Sequence, residues 1–429
     1  MQDQLATDSW YARSAAPFPA LPRLEGAETA DVCVIGAGYT GLSAALELAA
    51  RGWSVVVLEA AQVGRGASGR NGGQIITGYN HPMSTVERLV GRDDAKRLWE
   101  LNLEATRLLA DRVNKHAIQC DLRWGWTHAA LKSRHLREAE DAAAELERLG
   151  YPDARLLDRA AMRQIVDSPA YVGGLLDMGS GHLHPLNYAL GLGRAALDAG
   201  ARIFEASPAV SVVHGEPATV RTDRGEVRAR FVLAAVNAYA EGLEGIGAPL
   251  SWAMPVATYV MATEPLGAPR AAALLPTDAA VADMNLAINY YRRSADHRLL
   301  FGGGVSYSGF EPPGLKARMR AKMLRVFPQL HDARIDGLWG GHVAITVNRL
   351  PRVGRVAPNI LFAHGYSGHG VALAGLCGKL LAEAAAGTAE RFDVFARIPH
   401  RRFPFGVWAP ARRAALTLAM LWARLKDLS

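Results

Sequence analysis

Between Asp31 and Gln74 the chain reads DVCVIGAGYTGLSAALELAARGWSVVVLEAAQVGRGASGRNGGQ, with nine glycines. Gly36, Gly38 and Gly41 have G-x-G-x-x-G spacing, which suits binding of a pyrophosphate. The first allows a tight turn. The second lets the backbone approach the phosphates, and the third lets a helix pack closely on a sheet. Glu59 stands 18 residues after Gly41, where a carboxylate can accept hydrogen bonds from a ribose. A second cluster follows: Gly64, Gly66, Ser68, Gly69, Gly72 and Gly73, interleaved with Arg65, Arg70, Asn71 and Gln74. Such a loop offers backbone, hydroxyl and guanidinium donors to a further part of a long ligand.

The elements that position these residues are legible around them. DVCVI is a short apolar, β-branched run and reads as a buried strand. YTGLSAALELAARG has apolar positions at helical spacing and opens with Tyr39 and Thr40. WSVVVLE reads as a second buried strand that delivers Glu59 and then Ala60. The helix N-terminus supplies partial positive charge and free N–H groups for a pyrophosphate. Strand, glycine turn, helix and strand together make the motif specific for a dinucleotide. By themselves they leave NAD and FAD open, because an acid at Glu59 serves either ribose. The second loop favours FAD, whose flavin extends well beyond the pyrophosphate.

The combination VIGAGYTGLSAALELAARG, VVVLEA and GRGASGRNGGQ resembles the D-amino-acid oxidase-type flavoproteins, and within them the γ-glutamylputrescine oxidase branch. DSWYARS, LFAHGYSGHGVALAG and PHRRFPFG extend the resemblance over nearly the whole chain. It implies an α/β protein with a discontinuous Rossmann-type FAD-binding domain and a mixed-sheet substrate domain. The expected ranges are 1–81, 155–240 and 335–400 for the first, 82–154 and 241–334 for the second, and 401–429 as a C-terminal amphipathic tail. It further implies adenine contact at Ala209 and Val210. A third glycine-rich site, Gly365, Tyr366, Ser367, Gly368, His369, Gly370 and Val371, would meet the flavin at a helix N-terminus. Gly340 joins that cofactor set. Some relatives attach FAD covalently through a His beside the second loop or a Cys before the third site. Arg70, Asn71, Trp339, Gly340 and Gly341 stand in those neighbourhoods here, so dissociable FAD is expected.

The implied reaction is oxidation of an amine, with imine hydrolysis and molecular oxygen or another electron acceptor. His81, Tyr259, Tyr291, Tyr366 and His369 are the expected lining of a pocket that keeps the amine neutral. For Tyr259 and Tyr291, packing in a sheet core is the competing role. Passage of electrons to a quinone or carrier protein is the second enzymatic reading, and a non-catalytic nucleotide-binding module is the third.

Composition fits a folded chain of two domains: 429 residues, half of them hydrophobic, with a net charge of +7. The arginines are scattered, which argues against a nucleic-acid binder. Cys33, Cys120 and Cys377 have neither metal-ligand nor redox spacing, and no metal site is expected. The opening MQDQLATDSWYARS lacks a basic region and an apolar run, so a cytoplasmic protein is expected. In the tail, Leu418, Leu421, Trp422, Leu425 and Leu428 recur at helical spacing beside Arg412, Arg413, Arg424 and Lys426. Packing on the protein itself or on a partner subunit is the favoured fate, and peripheral contact with a membrane surface the other.

Overall fold

The computed structural model describes residues 9–246, 252–306 and 311–403, with Ala414 and Leu418 as isolated positions. Two sheets carry the fold. In the first, Ile360–His364, Gly225–Ala234, Gly26–Ile35, Val55–Leu58 and Arg202–Phe204 lie side by side in parallel. Arg352–Ala357 adds an antiparallel edge, and Ser211–Val213 with Ala218–Arg221 extends the sheet beside Gly225–Ala234. The central strands are apolar on both faces because both faces are covered. Val32, Val34 and Val57 face helices Tyr39–Ala49, Arg92–Lys115, Pro185–Asp198 and Gly370–Ala385 in one core. Cys33, Ile35 and Val56 face Val212, Val220 and Phe362 in another.

The second sheet is mixed and has nine strands among the described residues. Its order is Ile335–Ile345, Met254–Thr263, Leu299–Ser306, Tyr290–Arg293, Ala280–Asp283, Arg123–Ala130, Gly173–His182 and Gln74–Ile75, with Ala154–Leu157 beside Gly173–His182. Helix Leu315–Val326 covers one face through Met319 and Met323. The other face carries Val260, Leu300, Trp339 and Tyr290 against Trp10 and Tyr11.

Placement differs from the expected ranges in several elements, among them strand Gln74–Ile75, which lies within 1–81 yet pairs in the second sheet. Strand Gly173–His182, within the range 155–240 expected for the first domain, pairs in the second sheet, as does Ala154–Leu157, which straddles that boundary. Strand Ile335–Ile345 also pairs there, through Met254–Thr263, rather than in the first sheet. Helix Arg92–Lys115 packs into the core of the first sheet through Leu98, Ala105 and Leu109, not with the second. An apolar strand or amphipathic helix reads the same whichever sheet it joins, so only the tertiary partner decides. The tail expected over 401–429 lies outside the described residues beyond Phe403, apart from Ala414 and Leu418.

Candidate active site

Strand Gly26–Ile35 ends at Gly36, whose φ of 103° only glycine adopts readily. Its amide donates to Leu58 O at 2.8 Å, closing the turn on the neighbouring strand. Glu59 leaves that strand and accepts from Ala37 N at 2.8 Å and Ala61 N at 2.9 Å. Burial raises its pKa, and these backbone donors oppose the shift. A Cβ on Gly41 would lie 1.9 Å from Gly36 O, so helix Tyr39–Ala49 starts directly against the turn.

The second loop is fastened to the first. Tyr39 N donates to Ser68 Oγ at 3.0 Å, and a Cβ on Gly38 would meet that oxygen at 2.8 Å. Asn71 staples its own loop: Nδ2 donates to the Ala67 and Ser68 carbonyls at 3.0 Å, and Oδ1 accepts from Gly73 N at 2.7 Å. Arg70 donates to Arg65 O at 3.0 Å and Gly340 O at 3.2 Å, while Trp339 Nε1 donates to Arg70 O at 3.1 Å. Gln74 donates to Val281 O and accepts from Trp126 Nε1, each at 3.0 Å. These bonds dock the loop on the second sheet.

The third site closes the same space. Strand Ile360–His364 runs into Gly365, Ser367 and Gly368, all with positive φ, before helix Gly370–Ala385. Tyr366 Oη lies 2.6 Å from Thr40 Oγ1, joining the third site to the first helix. Burial above all holds the Tyr366 hydroxyl far above its ordinary pKa, so it stays protonated. His369 Nδ1 lies 3.1 Å from Gly78 O. A carbonyl only accepts, so Nδ1 carries the hydrogen and Nε2 the lone pair. Burial lowers this imidazole to about 4, and the bond to Gly78 opposes the shift.

One cavity of ≈ 930 Å³ unites the three sites. Sixteen of the residues singled out in the sequence line it: Gly36, Gly38, Tyr39, Thr40, Glu59, Ala60, Arg65, Gly66, Ser68, Asn71, Ala209, Tyr366, Ser367, Gly368, Gly370 and Val371. Others surround it without lining it. Gly41, Arg70, Gln74 and Gly365 hold the walls, and His369 hangs on Gly78. Gly72 and Gly73 lie against Tyr290 and Arg292, and Gly340 lies under the Tyr259 ring. Val210 is 43% exposed and donates its amide to Arg221 O.

Of the five pocket candidates, only Tyr366 lines the cavity. Tyr291 belongs to the core: it is 1% exposed, stacks on Phe301 and donates its hydroxyl to Tyr171 at 2.9 Å. Tyr259 faces the same core, on the side of helix Leu315–Val326. Strand alternation explains both, since neighbouring side chains point to opposite faces. Tyr290 takes the other face, where its ring covers Gly72 and Gly302. His81 sits in a bridge with Tyr79, partly exposed and lowered in pKa by burial and then Arg349. The sequence reading also missed Pro208, Asn237, Tyr239, Glu241, Val343 and Ala344. None belongs to a spacing motif, so no local signal marked them.

The lining fits FAD. A cradle that a Cβ would obstruct at Gly38 lies beside a carboxylate held by backbone donors, and the volume suits a long ligand. Tyr239 also lines the cavity, with its hydroxyl oxygen buried there. Glu59, Ser68 and the amides at Gly36–Thr40 would hold the adenosine and pyrophosphate, and the Tyr366–Val371 segment the ring.

The chain belongs to a family of FAD-dependent oxidoreductases: the DAO profile, described as FAD dependent oxidoreductase, matches residues 31–384. FAD is its cofactor and it is an enzyme of that class. Among its relatives is the gamma-glutamylputrescine oxidoreductase of Escherichia coli (strain K12), 42% identical over 93% of this chain and 94% of that one. Two solved structures share the fold: glycine oxidase from Geobacillus kaustophilus (TM-score 0.71, 20% identity, 84% of this chain and 95% of that one) and glycine oxidase from Bacillus cereus ATCC 14579 (0.72, 19%, 87% and 99%).

Proposed function

We propose that the protein oxidises an amine of the γ-glutamylputrescine type, with molecular oxygen as acceptor and non-covalently held FAD. One observation carries this reading beyond the family. The cavity end formed by Val343, Ala344, Tyr366, Ser367, Gly368, Gly370 and Val371 has no charged side chain. An uncharged, poorly solvated wall disfavours an ammonium ion and favours the neutral amine whose carbon–hydrogen bond is to be broken. The likeness to gamma-glutamylputrescine oxidoreductase supports the same substrate class.

When bound, FAD supplies the two-electron acceptor for that bond. The chain supplies position and electrostatics. Thr40 fixes the Tyr366 hydroxyl against the wall. The N-terminus of helix Gly370–Ala385 presents partial positive charge at the same end. His369 is held neutral with its Nε2 lone pair available to a proton. The imine product then hydrolyses in water to an aldehyde and ammonia or a smaller amine.

The test is an anaerobic screen of the holoenzyme with γ-glutamylputrescine, sarcosine, proline and D-amino acids, read as bleaching of the flavin absorbance. Rapid bleaching by γ-glutamylputrescine, with oxygen uptake and peroxide release on aeration, is the expected result. Bleaching without oxygen uptake replaces oxygen by a quinone or carrier protein. No bleaching by any amine refutes the reading.

A further inference from the structure

Arg292, on strand Tyr290–Arg293 of the second sheet, is 2% exposed. Its guanidinium is held by backbone and phenol oxygens: Nε donates to Gly72 O at 2.8 Å, Nη1 to Arg293 O at 3.0 Å and Nη2 to the Tyr11 hydroxyl at 3.2 Å. No carboxylate pairs with it among the described residues. Asp278 and Asp296 lie in the same region, but each accepts from an arginine of its own, Arg293 at 2.9 Å and Arg298 at 2.7 Å. Tyr11, His182 and His184 also feel the Arg292 charge. Burial is the largest cause acting on all three, and it keeps the hydroxyl protonated and the imidazoles neutral. A positive charge therefore stands in a shielded place, balanced by dipoles alone. Such a charge is costly, and an anion close to it offsets that cost.

The bond to Gly72 O directs this charge towards the cofactor. That carbonyl shares a peptide with Gly73 N, which donates to Asn71 Oδ1 at 2.7 Å. Asn71 lines the cavity. Donation to a carbonyl strengthens the N–H of the same peptide, so one peptide and one amide side chain link Arg292 to the cavity wall. The approach is close: a Cβ on Gly73 would meet Nη2 at 3.0 Å and Nε at 3.1 Å. Arg292 itself does not line the cavity, so its action there is indirect.

We propose that Arg292 is a positioning residue for FAD. Through the Gly72–Gly73 peptide and Asn71 it holds the second loop against the cofactor with a fixed positive charge behind it, and so raises the reduction potential of the bound flavin. A fixed cation favours the form of a neighbouring group that carries more negative charge. The effect is independent of which amine is oxidised.

The test is the reduction potential of the holoenzyme, measured anaerobically against reference dyes with no amine present. Arg292→Gln keeps a donor for Gly72 O and removes the charge. Its potential should fall by about 30 mV, a tenfold shift of a two-electron equilibrium. Tyr11→Phe removes one hydrogen bond of the same guanidinium and keeps the charge. Its melting temperature should fall while its potential stays at the wild-type value. The flavin-to-protein absorbance ratio shows that each variant is loaded. If Arg292→Gln fails to hold FAD, Arg292→Lys carries the test: it keeps the charge without the planar fork, and its potential should match the wild type. An unchanged potential in loaded Arg292→Gln, an equal fall in Tyr11→Phe, or a fall of that size in Arg292→Lys overturns the proposal.

Discussion

Glu59 shows how one side chain joins fold to ligand. Two backbone amides hold its carboxylate in place, and the residue still lines the cavity. Glu59→Ala should therefore weaken FAD binding by about 1.5–3 kcal/mol, the range for a hydrogen bond to a charged group. Fluorescence titration of the apo-protein checks this, and unchanged affinity would remove Glu59 from the cofactor site. Tyr366→Phe tests a second contact. The 2.6 Å bond to Thr40 would vanish, at a cost of about 1 kcal/mol in stability, while FAD remains bound. Denaturant unfolding reads the first effect and the flavin spectrum the second. The glycines, Glu59 and Asn71 were legible because their spacing carries their role. Tyr290 was not. It differs from Tyr291 by one position, and only the register with Phe301 and Gly302 decides which ring enters the core.

At the scale of elements, close approach is the main constraint. Gly41 sets helix Tyr39–Ala49 against the Gly36 turn, and Gly378 sets helix Gly370–Ala385 against Thr40 O, which its Cβ would meet at 2.2 Å. Gly41→Ala must shift backbone rather than a flexible side chain. We expect a loss of about 1–3 kcal/mol from overpacking together with weaker FAD retention, read from the melting temperature and the flavin-to-protein absorbance ratio. A variant with wild-type values for both would show that the turn yields cheaply. Helix Pro185–Asp198 offers a different test. His184 is its N-cap, and Nδ1 accepts from Asn187 N at 3.1 Å while Nε2 lies 3.0 Å from Ser14 Oγ. His184→Ala should cost about 1 kcal/mol, as loss of a cap does, with His184→Asn recovering part of it. Equal stability of all three proteins would discount the cap. Neither this helix nor strand Gly173–His182 was anticipated; the strand, GGLLDMGSGH, carries four glycines and no clean alternation of apolar and polar residues.

For the whole molecule, burial of histidine dictates the response to acid. His128, His369 and His400 are lowered to about 4, and His184 and His364 to about 3, from an ordinary 6.5. Each binds its proton less readily folded than unfolded. Between these values and 6.5 the unfolded chain holds more protons, so stability rises with pH. The contribution is complete above 6.5 and lost progressively as the pH falls towards 4 for three of them and towards 3 for His184 and His364. The melting temperature of the holoenzyme should decline over that window, and less steeply in His184→Asn; a flat profile would contradict these burials. The primary sequence by itself determined a dinucleotide site, the first strand–turn–helix–strand unit and the second glycine-rich loop, because a turn, a close approach and a helix start each demand particular residue types at fixed local spacing; FAD and the third site came with the family resemblance that the same residues carry. Only the tertiary structure decided that strand Ile335–Ile345 brings Val343 and Ala344 to the cavity, that helix Arg92–Lys115 joins the first core, and that Tyr259 and Tyr291 turn inward. Those outcomes rest on pairing and packing between residues far apart in the chain, and an apolar segment records that it will be buried without recording against what.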